Sequence, residues 1–221
     1  MPCITLDVQL LVQTFLYVAN IVIGLAVAVP LGITLGDFNG QCILYADIHW
    51  HSYIHVSYIP SSVVNCRFSI YVSVCLCVLY GIGMTFYHVY LLTRKDPMIG
   101  SKMWVFPFIV VNSVFAFVTF ISSCIISVGF KTFCDGLLKG REKGHIMESC
   151  AYGERVKWNA YKGDYRTHNF YTYLTVTQIA TWSTFLVWVL LIIQGIIRFV
   201  KNRRLASALD LGNFAASEPS A

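Results

Sequence analysis

The sequence predicts an all-α membrane protein: an antiparallel bundle of four transmembrane helices carrying a small disulfide-braced extracellular part with a short β-sheet. Three observations lead there. Of the 221 residues, 57% are hydrophobic and only 12% charged, against about 25% charged in an average soluble domain. Four apolar runs, about 8–31, 68–92, 104–130 and 171–197, contain no Asp, Glu, Lys or Arg. Each exceeds the roughly 20 helical residues that cross a hydrocarbon core about 30 Å thick. Finally, four of the eight cysteines fall in the two long connections, two in each, as disulfides of an oxidising compartment would.

The organisation that follows is one four-span domain, 1–197, and a tail, 198–221, expected to be basic at first and loosely ordered from Leu205. Loops 32–67 and 131–170 lie on one side; the connector 93–103 and both termini lie on the other. The start, MPCITLDVQ, has no basic stretch and the first run is too long for a signal-peptide core, so the first span is expected as an uncleaved anchor. Pro30 is expected to end it, with Gly32, Gly36 and Gly40 turning the chain into the first loop. That loop contains CILYADIHWHSYIHVSYI, rich in Tyr, Ile and Val. Partial alternation puts Trp50, Ser52, Ile54, Val56 and Tyr58 on one face, which predicts strands.

Charge chooses the side. Arg94, Lys95 and Lys102 sit in the connector, and Arg198, Lys201, Arg203 and Arg204 follow the fourth run, close to membrane ends where basic residues mark the cytoplasmic face. The second loop holds eight Lys or Arg against five acidic residues, but density beside the spans outweighs totals in longer loops. Cytoplasmic termini are therefore expected, in the plasma membrane or a secretory-pathway membrane. The loop cysteines Cys42, Cys66, Cys134 and Cys150 then face the oxidising side. Three pairings are open; Cys42 with Cys66 and Cys134 with Cys150 is preferred, because each bond closes its own loop.

Each span has a polar or small face. Gln9, Gln13 and Asn20 fall within about 40° of one another on a helix, and with Asn112 of the third span they form a polar seam. Ser69, Ser73, Cys77 and Gly81 recur at intervals of four in the second span. The third aligns Asn112, Ala116, Thr119, Ser123 and Ser127, and the fourth Thr177, Thr181, Thr184, Trp188 and Gly195. Such faces let helices approach closely and hydrogen-bond where lipid offers no partner.

Several of these stretches occur in an order that resembles a known family. VPL, DFNGQCIL, CRFSIYVS, SVGFKTFCD, a further loop cysteine at Cys150 and NFYTYLTVTQIATWSTFLVWV together are similar to the transmembrane protein 179 family, small four-span proteins, along nearly the whole chain. The resemblance implies a multi-pass membrane protein and no particular mechanism. A small sheet on four helices is also claudin-like in shape, although the claudin Trp-Gly-Leu-Trp loop motif is absent.

Catalytic chemistry finds little support. His49, His51 and His55 could share a strand face as metal ligands, but no Cys or carboxylate completes a zinc pattern; Asp37 and Asp135 suit turn and cap roles better than a carboxylate pair. Phosphate-loop, nucleophile-elbow and HExxH motifs do not occur. Spans without Asp, Glu, Lys or Arg argue against a pump. The expectation is no enzyme, no cofactor and no metal. Trp158, Tyr161 and Tyr165, beside Phe170 and Tyr171, are candidate anchors for a protein partner. Arg198, Lys201, Arg203 and Arg204 are candidates for lipid headgroups, or serve topology alone. These features fit a non-enzymatic membrane interaction protein, an accessory subunit of a larger channel, receptor or transporter complex. Its partners are membrane lipid and another membrane protein rather than nucleic acid. The alternative is a self-assembled channel or lipid carrier built on the polar seam.

Overall fold

The computed structural model describes residues 2–50, 55–93, 105–139, 149–158 and 165–216. Helix α1 (Pro2–Asp37) leads into a hairpin of β1 (Cys42–Trp50) and β2 (His55–Ser61). Helix α2 (Val63–Thr93) and helix α3 (Val105–Leu138) follow. A short 3₁₀ turn, Cys150–Glu154, and a two-residue strand β3, Lys157–Trp158, precede the last helix α4 (Phe170–Ala216). All four helices are long and apolar enough to cross a membrane.

Two helix ends differ from the sequence expectation. Pro30 lies inside α1, which runs on to Asp37, so Gly32 and Gly36 are helical and only the third glycine turns the chain. A transmembrane helix tolerates proline when neighbouring groups take up the freed backbone. Termination comes later. Gly40 N donates to Leu35 O and Asn39 N to Gly36 O, the paired bonds of a Schellman cap. Asn39 takes the positive φ, 54°, that this cap needs, and Gly40 follows it at 78°. At the other end of the chain, α4 passes the expected span end at 197 without a break and runs through Lys201, Arg203 and Arg204 to Ala216, into the stretch from Leu205 expected to be loosely ordered. No proline interrupts it, and Lys, Arg, Leu and Ala are good helix formers.

Helix α2 contains a π-helical stretch, Ser73–Leu79. It resolves a difficulty in the sequence pattern. Residues at intervals of four drift by about 40° per step on a regular α-helix, so Ser69, Ser73, Cys77 and Gly81 would leave a common face. Widening the turn holds them inward, and all four are buried. Glycine on each helix allows the contact: a Cβ on Gly24 of α1 would lie 2.6 Å from Cys77 Cβ, and one on Gly81 of α2 would lie 2.8 Å from Ile21.

The sheet runs β1-β2-β3. β1 and β2 are antiparallel, pairing Trp50 with Val56 and Ile48 with Tyr58, while β3 adds in parallel at His55 and Val56. Of the residues expected to share one strand face, Trp50 therefore lies on β1 and Val56 and Tyr58 on the antiparallel β2, while Ser52 and Ile54 lie outside the described residues. Between Cys42 and Asp47 the register is irregular, and Tyr45 takes φ 63° there. The distortion seats β1 on α3: a Cβ on Gly129 would lie 2.7 Å from the Tyr45 ring and 2.9 Å from Leu44.

Candidate functional site

At the loop end, the two halves of the ectodomain share one apolar core. Cys42 bonds to Cys66 and Cys134 to Cys150, with Cα–Cα distances of 5.8 and 5.2 Å. The first bond brings the top of α2 to the start of β1; the second holds the 3₁₀ turn against α3. Phe38, fully buried past the end of α1, is the hub. Its ring lies 5.6 Å from Tyr165, 5.7 Å from Tyr58, 6.0 Å from Trp158 and 6.3 Å from Phe170. Trp158 stacks on Phe133 at 6.0 Å and donates its indole N–H to Gly153 O. Several polar groups in this layer are partnered within it, although the Ser61 hydroxyl is buried without a hydrogen-bond partner. Gln41 Oε1 accepts from the hydroxyls of Tyr58 and Tyr165, at 3.0 and 3.2 Å. Burial pushes the Tyr58 hydroxyl above its usual pKa, and the neighbouring Tyr165 adds to the shift. Glu154 Oε1 accepts from Tyr171 N, satisfying an amide at the start of α4.

Trp158 and Tyr165, expected as outward anchors, therefore give their rings to this core; Tyr161 lies outside the described residues. The reason is the fold's need: a cap this small has little else to bury.

The opposite end, where the termini lie, is built differently. A cavity of about 20 Å³ opens among the helices there, with Gln13, Tyr17, His88, Asn112 and Arg198 as its polar lining. One element contributes each of these except α1, which contributes two, and all five are buried. Tyr17 and Asn112 are mutually hydrogen-bonded, with Asn112 Nδ2 3.2 Å from the Tyr17 hydroxyl. Arg198 Nη1 donates to Gln13 Oε1 at 3.3 Å. His88 Nδ1 lies 2.7 Å from Met84 O; since a carbonyl can only accept, Nδ1 carries the proton and Nε2 is the ring's remaining polar atom.

Arg198 is the correction to the headgroup expectation. It is 2% exposed and turned into the bundle, whereas Lys201, Arg203 and Arg204 remain outside. Its position explains this: Trp188, Leu191, Gly195 and Arg198 follow at steps of three and four, so Arg198 continues the buried face of α4. The seam expected of Gln9, Gln13, Asn20 and Asn112 is brought together in part. Gln13 and Asn112 line one cavity, with Tyr17 between them. Asn20 is fully buried deeper in the bundle and Gln9 half-buried nearer the end. Asn20 has neither amide atom hydrogen-bonded.

Above the cavity an aromatic cluster fills the bundle. Tyr80 and Phe115 rings lie 4.8 Å apart, Phe115 and Trp188 5.3 Å, and Tyr17 and Trp188 6.4 Å. Beyond it the hydroxyls bond mostly within their own helices: Thr181 to Thr177 O, Thr184 to Ala180 O and Ser123 to Thr119 O. Among the described residues a few reach across, such as Ser122 to Ser69 at 3.0 Å and the Trp182 indole to Ser127 at 2.9 Å. A hydroxyl with a carbonyl one turn back gains its bond without a partner helix, so these faces act more through small size than through cross-links.

His88 and Tyr17 carried a signal that sequence reasoning passed over. His88 is the only histidine within the four apolar runs, and an ionisable side chain at that depth marks an interior face. Among the described residues, no group of three or more His, Cys, Asp or Glu could hold a metal ion, and His51 lies outside them.

A family model described as the Transmembrane protein 179/179B Claudin domain matches residues 9–219. The chain is 25% identical over 189 residues to Transmembrane protein 179B of Danio rerio, covering 86% of this chain and 83% of that protein. Against Transmembrane protein 179B of Mus musculus the identity is 24% over 179 residues, covering 81% and 78%. No solved structure matches significantly. With four membrane-crossing helices and a match over nearly its full length, the chain belongs to the transmembrane protein 179/179B claudin-domain family of multi-pass membrane proteins.

Proposed function

We propose that the protein is a non-enzymatic membrane interaction protein, an accessory subunit seated beside a larger channel, receptor or transporter. Both termini are cytoplasmic and the disulfide-braced cap is exoplasmic. One observation carries this reading: the bundle interior is closed. The polar lining ends at the Tyr17, Tyr80, Phe115 and Trp188 cluster, and the cavity below it has room for little more than a water molecule. A protein with a sealed interior and a braced cap acts through the surface that it presents. With Trp158 and Tyr165 committed to the core, the apolar side chains left at the loop end include Ile59 and Val64, 60% and 68% exposed. Photo-crosslinkers placed at Ile59 and Val64 in native membranes, read by mass spectrometry, test it. Recovery of one stoichiometric membrane-protein partner is expected; repeated recovery of lipid alone would sink the accessory-subunit role.

The lipid-carrier alternative has one observation of its own. An open groove of about 490 Å³ runs over α3 and α4 beside the second disulfide, lined by Ser127, Lys131, Tyr171 and Gln178 among others. Transfer of fluorescent phospholipid between liposomes, abolished by Gln178→Leu, would favour it over the accessory role.

A further inference from the structure

We propose that the groove over α3 and α4 holds one zwitterionic phospholipid of the leaflet on the cap side, its phosphate at Lys131 and its acyl chains along the outer face of the two helices. The lipid-carrier alternative rests on the same groove, but a lipid kept in place needs no transfer, so the inference goes beyond either reading of the function. Depth is the first argument. The apolar run of the third span ends at Phe130 and Lys131 is the first charge after it, so the rim of the groove lies where hydrocarbon gives way to headgroups. Ser127, one turn back along α3, lies about 6 Å deeper than Lys131, and Gln178, seven residues along α4 from Tyr171, lies about 10 Å deeper than that ring. A phospholipid presents its groups in the same order: phosphate, glycerol esters, then chains.

Polar chemistry is the second. Lys131, exposed at the rim, offers N–H donors to a phosphate. Below it, Ser127 Oγ accepts from the Trp182 indole at 2.9 Å and keeps its own proton to donate. Gln178 is half-buried, and among the described residues nothing bonds its side-chain amide. Hydrocarbon offers that amide no acceptor, whereas an ester carbonyl does. The groove measures about 490 Å³, within the roughly 300–1,000 Å³ of small-ligand sites, which suits a headgroup and glycerol. The chains continue past the Phe120 and Trp182 rings, 6.0 Å apart and both exposed on the outer face.

Charge order is the third. Asp135 follows Lys131 by one turn of α3 toward the water, and both are exposed. A cation at the membrane edge and an anion one turn farther out are opposite in sign to the phosphate and the ammonium of a zwitterionic headgroup, which meets attraction at both ends. An anionic headgroup would meet Lys131 but bring no ammonium to Asp135. An exposed ion pair within one helix is weak enough to open for the headgroup.

The test uses the full chain in phosphatidylglycerol vesicles containing a trace of phosphatidylcholine with a photoactivatable diazirine on one acyl chain, and labelled peptides are mapped by mass spectrometry. Label should concentrate on α3 and α4 around Phe120, Val128 and Trp182, and a small addition of unlabelled phosphatidylcholine or phosphatidylethanolamine should displace it, whereas inorganic phosphate should not. Lys131→Glu should lower groove labelling roughly tenfold and Gln178→Leu about threefold, while Lys201→Glu, at the other end of α4, leaves it unchanged. Because a variant could fold poorly, the wild-type competition series stands by itself. Label spread alike over the outer faces of all four helices, or insensitive to added phosphatidylcholine, would mean surrounding bilayer lipid only and would overturn the site. A photo-crosslinker placed at Gln178 that joins to residues 140–148 would overturn it too, by showing this chain's own loop in the groove. Carriage is read separately: a labelled groove without transfer between liposomes refutes the carrier and supports the resident lipid, and an unlabelled groove refutes the site whatever the transfer assay gives.

Discussion

The two ends of the molecule solve one problem, holding four helices together, in different solvents. At the loop end the chain leaves lipid for water. There it builds a small soluble core around Phe38, with two disulfides and several polar side chains bonded inside the layer. At the terminal end the helices stay in lipid, and a buried polar cluster links Gln13, Tyr17, Asn112 and Arg198 across three helices. Water drives apolar groups together, so the cap can use hydrophobic burial but is too small to rely on it alone, and covalent closure makes up the shortfall. Lipid gives no such drive. There, close approach at glycine and a few hydrogen bonds hold the helices, and each buried polar group left unmatched is costly.

The sharpest way to break this contrast is at the cap. Cys42→Ser and Cys66→Ser should each destabilise the protein by about 3 kcal/mol and lower surface abundance alike, with the double variant no worse than either single one. Surface biotinylation at matched expression reads this; additive losses would mean that the two cysteines act apart.

Glycines sharpen the comparison within the membrane. Gly24→Ala puts a methyl against Cys77 Cβ and should cost about 1–3 kcal/mol by overpacking. Gly32→Ala, in the same helix with nothing within 4 Å of the added carbon, should stabilise by up to about 1 kcal/mol. Thermal unfolding in nanodiscs separates them, and equal effects would contradict the packing of α1 on α2.

The polar cluster comes next in size. Tyr17→Phe leaves Asn112 short of a partner and should cost about 1–2 kcal/mol, whereas adding Asn112→Leu should recover part of that loss, since two apolar groups strand nothing. A double variant as weak as the sum of the singles would show that the pair is not a unit.

The smallest effect is in the cap. Burial raises the Tyr58 pKa above the unfolded value of about 10. The stabilisation from a neutral buried hydroxyl is therefore fully present below pH about 10 and is lost as pH rises through the folded value. Tyr58→Phe should cost about 1 kcal/mol at neutral pH through the lost bond to Gln41 and flatten the alkaline decline of the Tm. An unchanged alkaline profile would assign that decline to other groups.

How much of this the sequence disclosed follows the same division. Hydropathy shows composition along the chain, so the four spans were legible, and helical spacing placed Ser69, Asn112, Thr177 and Trp188 on faces that are indeed buried. Paired loop cysteines were legible because each pair sits in one loop. Direction was not. Arg198 stands at the end of an apolar run, where a charge ordinarily turns to the headgroups, and only its register with Trp188 and Gly195 sends it inward. Trp158 and Tyr165 looked like exposed anchors because their burial depends on Phe38, distant in sequence and brought near by α1 running past Pro30.

The central claim is that the bundle is sealed and the protein works through its surfaces. Ion flux through liposomes carrying the purified full chain tests it most directly. The account predicts flux no greater than in protein-free liposomes, for wild type and Asn112→Leu alike. A conductance carried by the wild type and abolished by Asn112→Leu would contradict it, and would make the polar lining a pathway rather than a site.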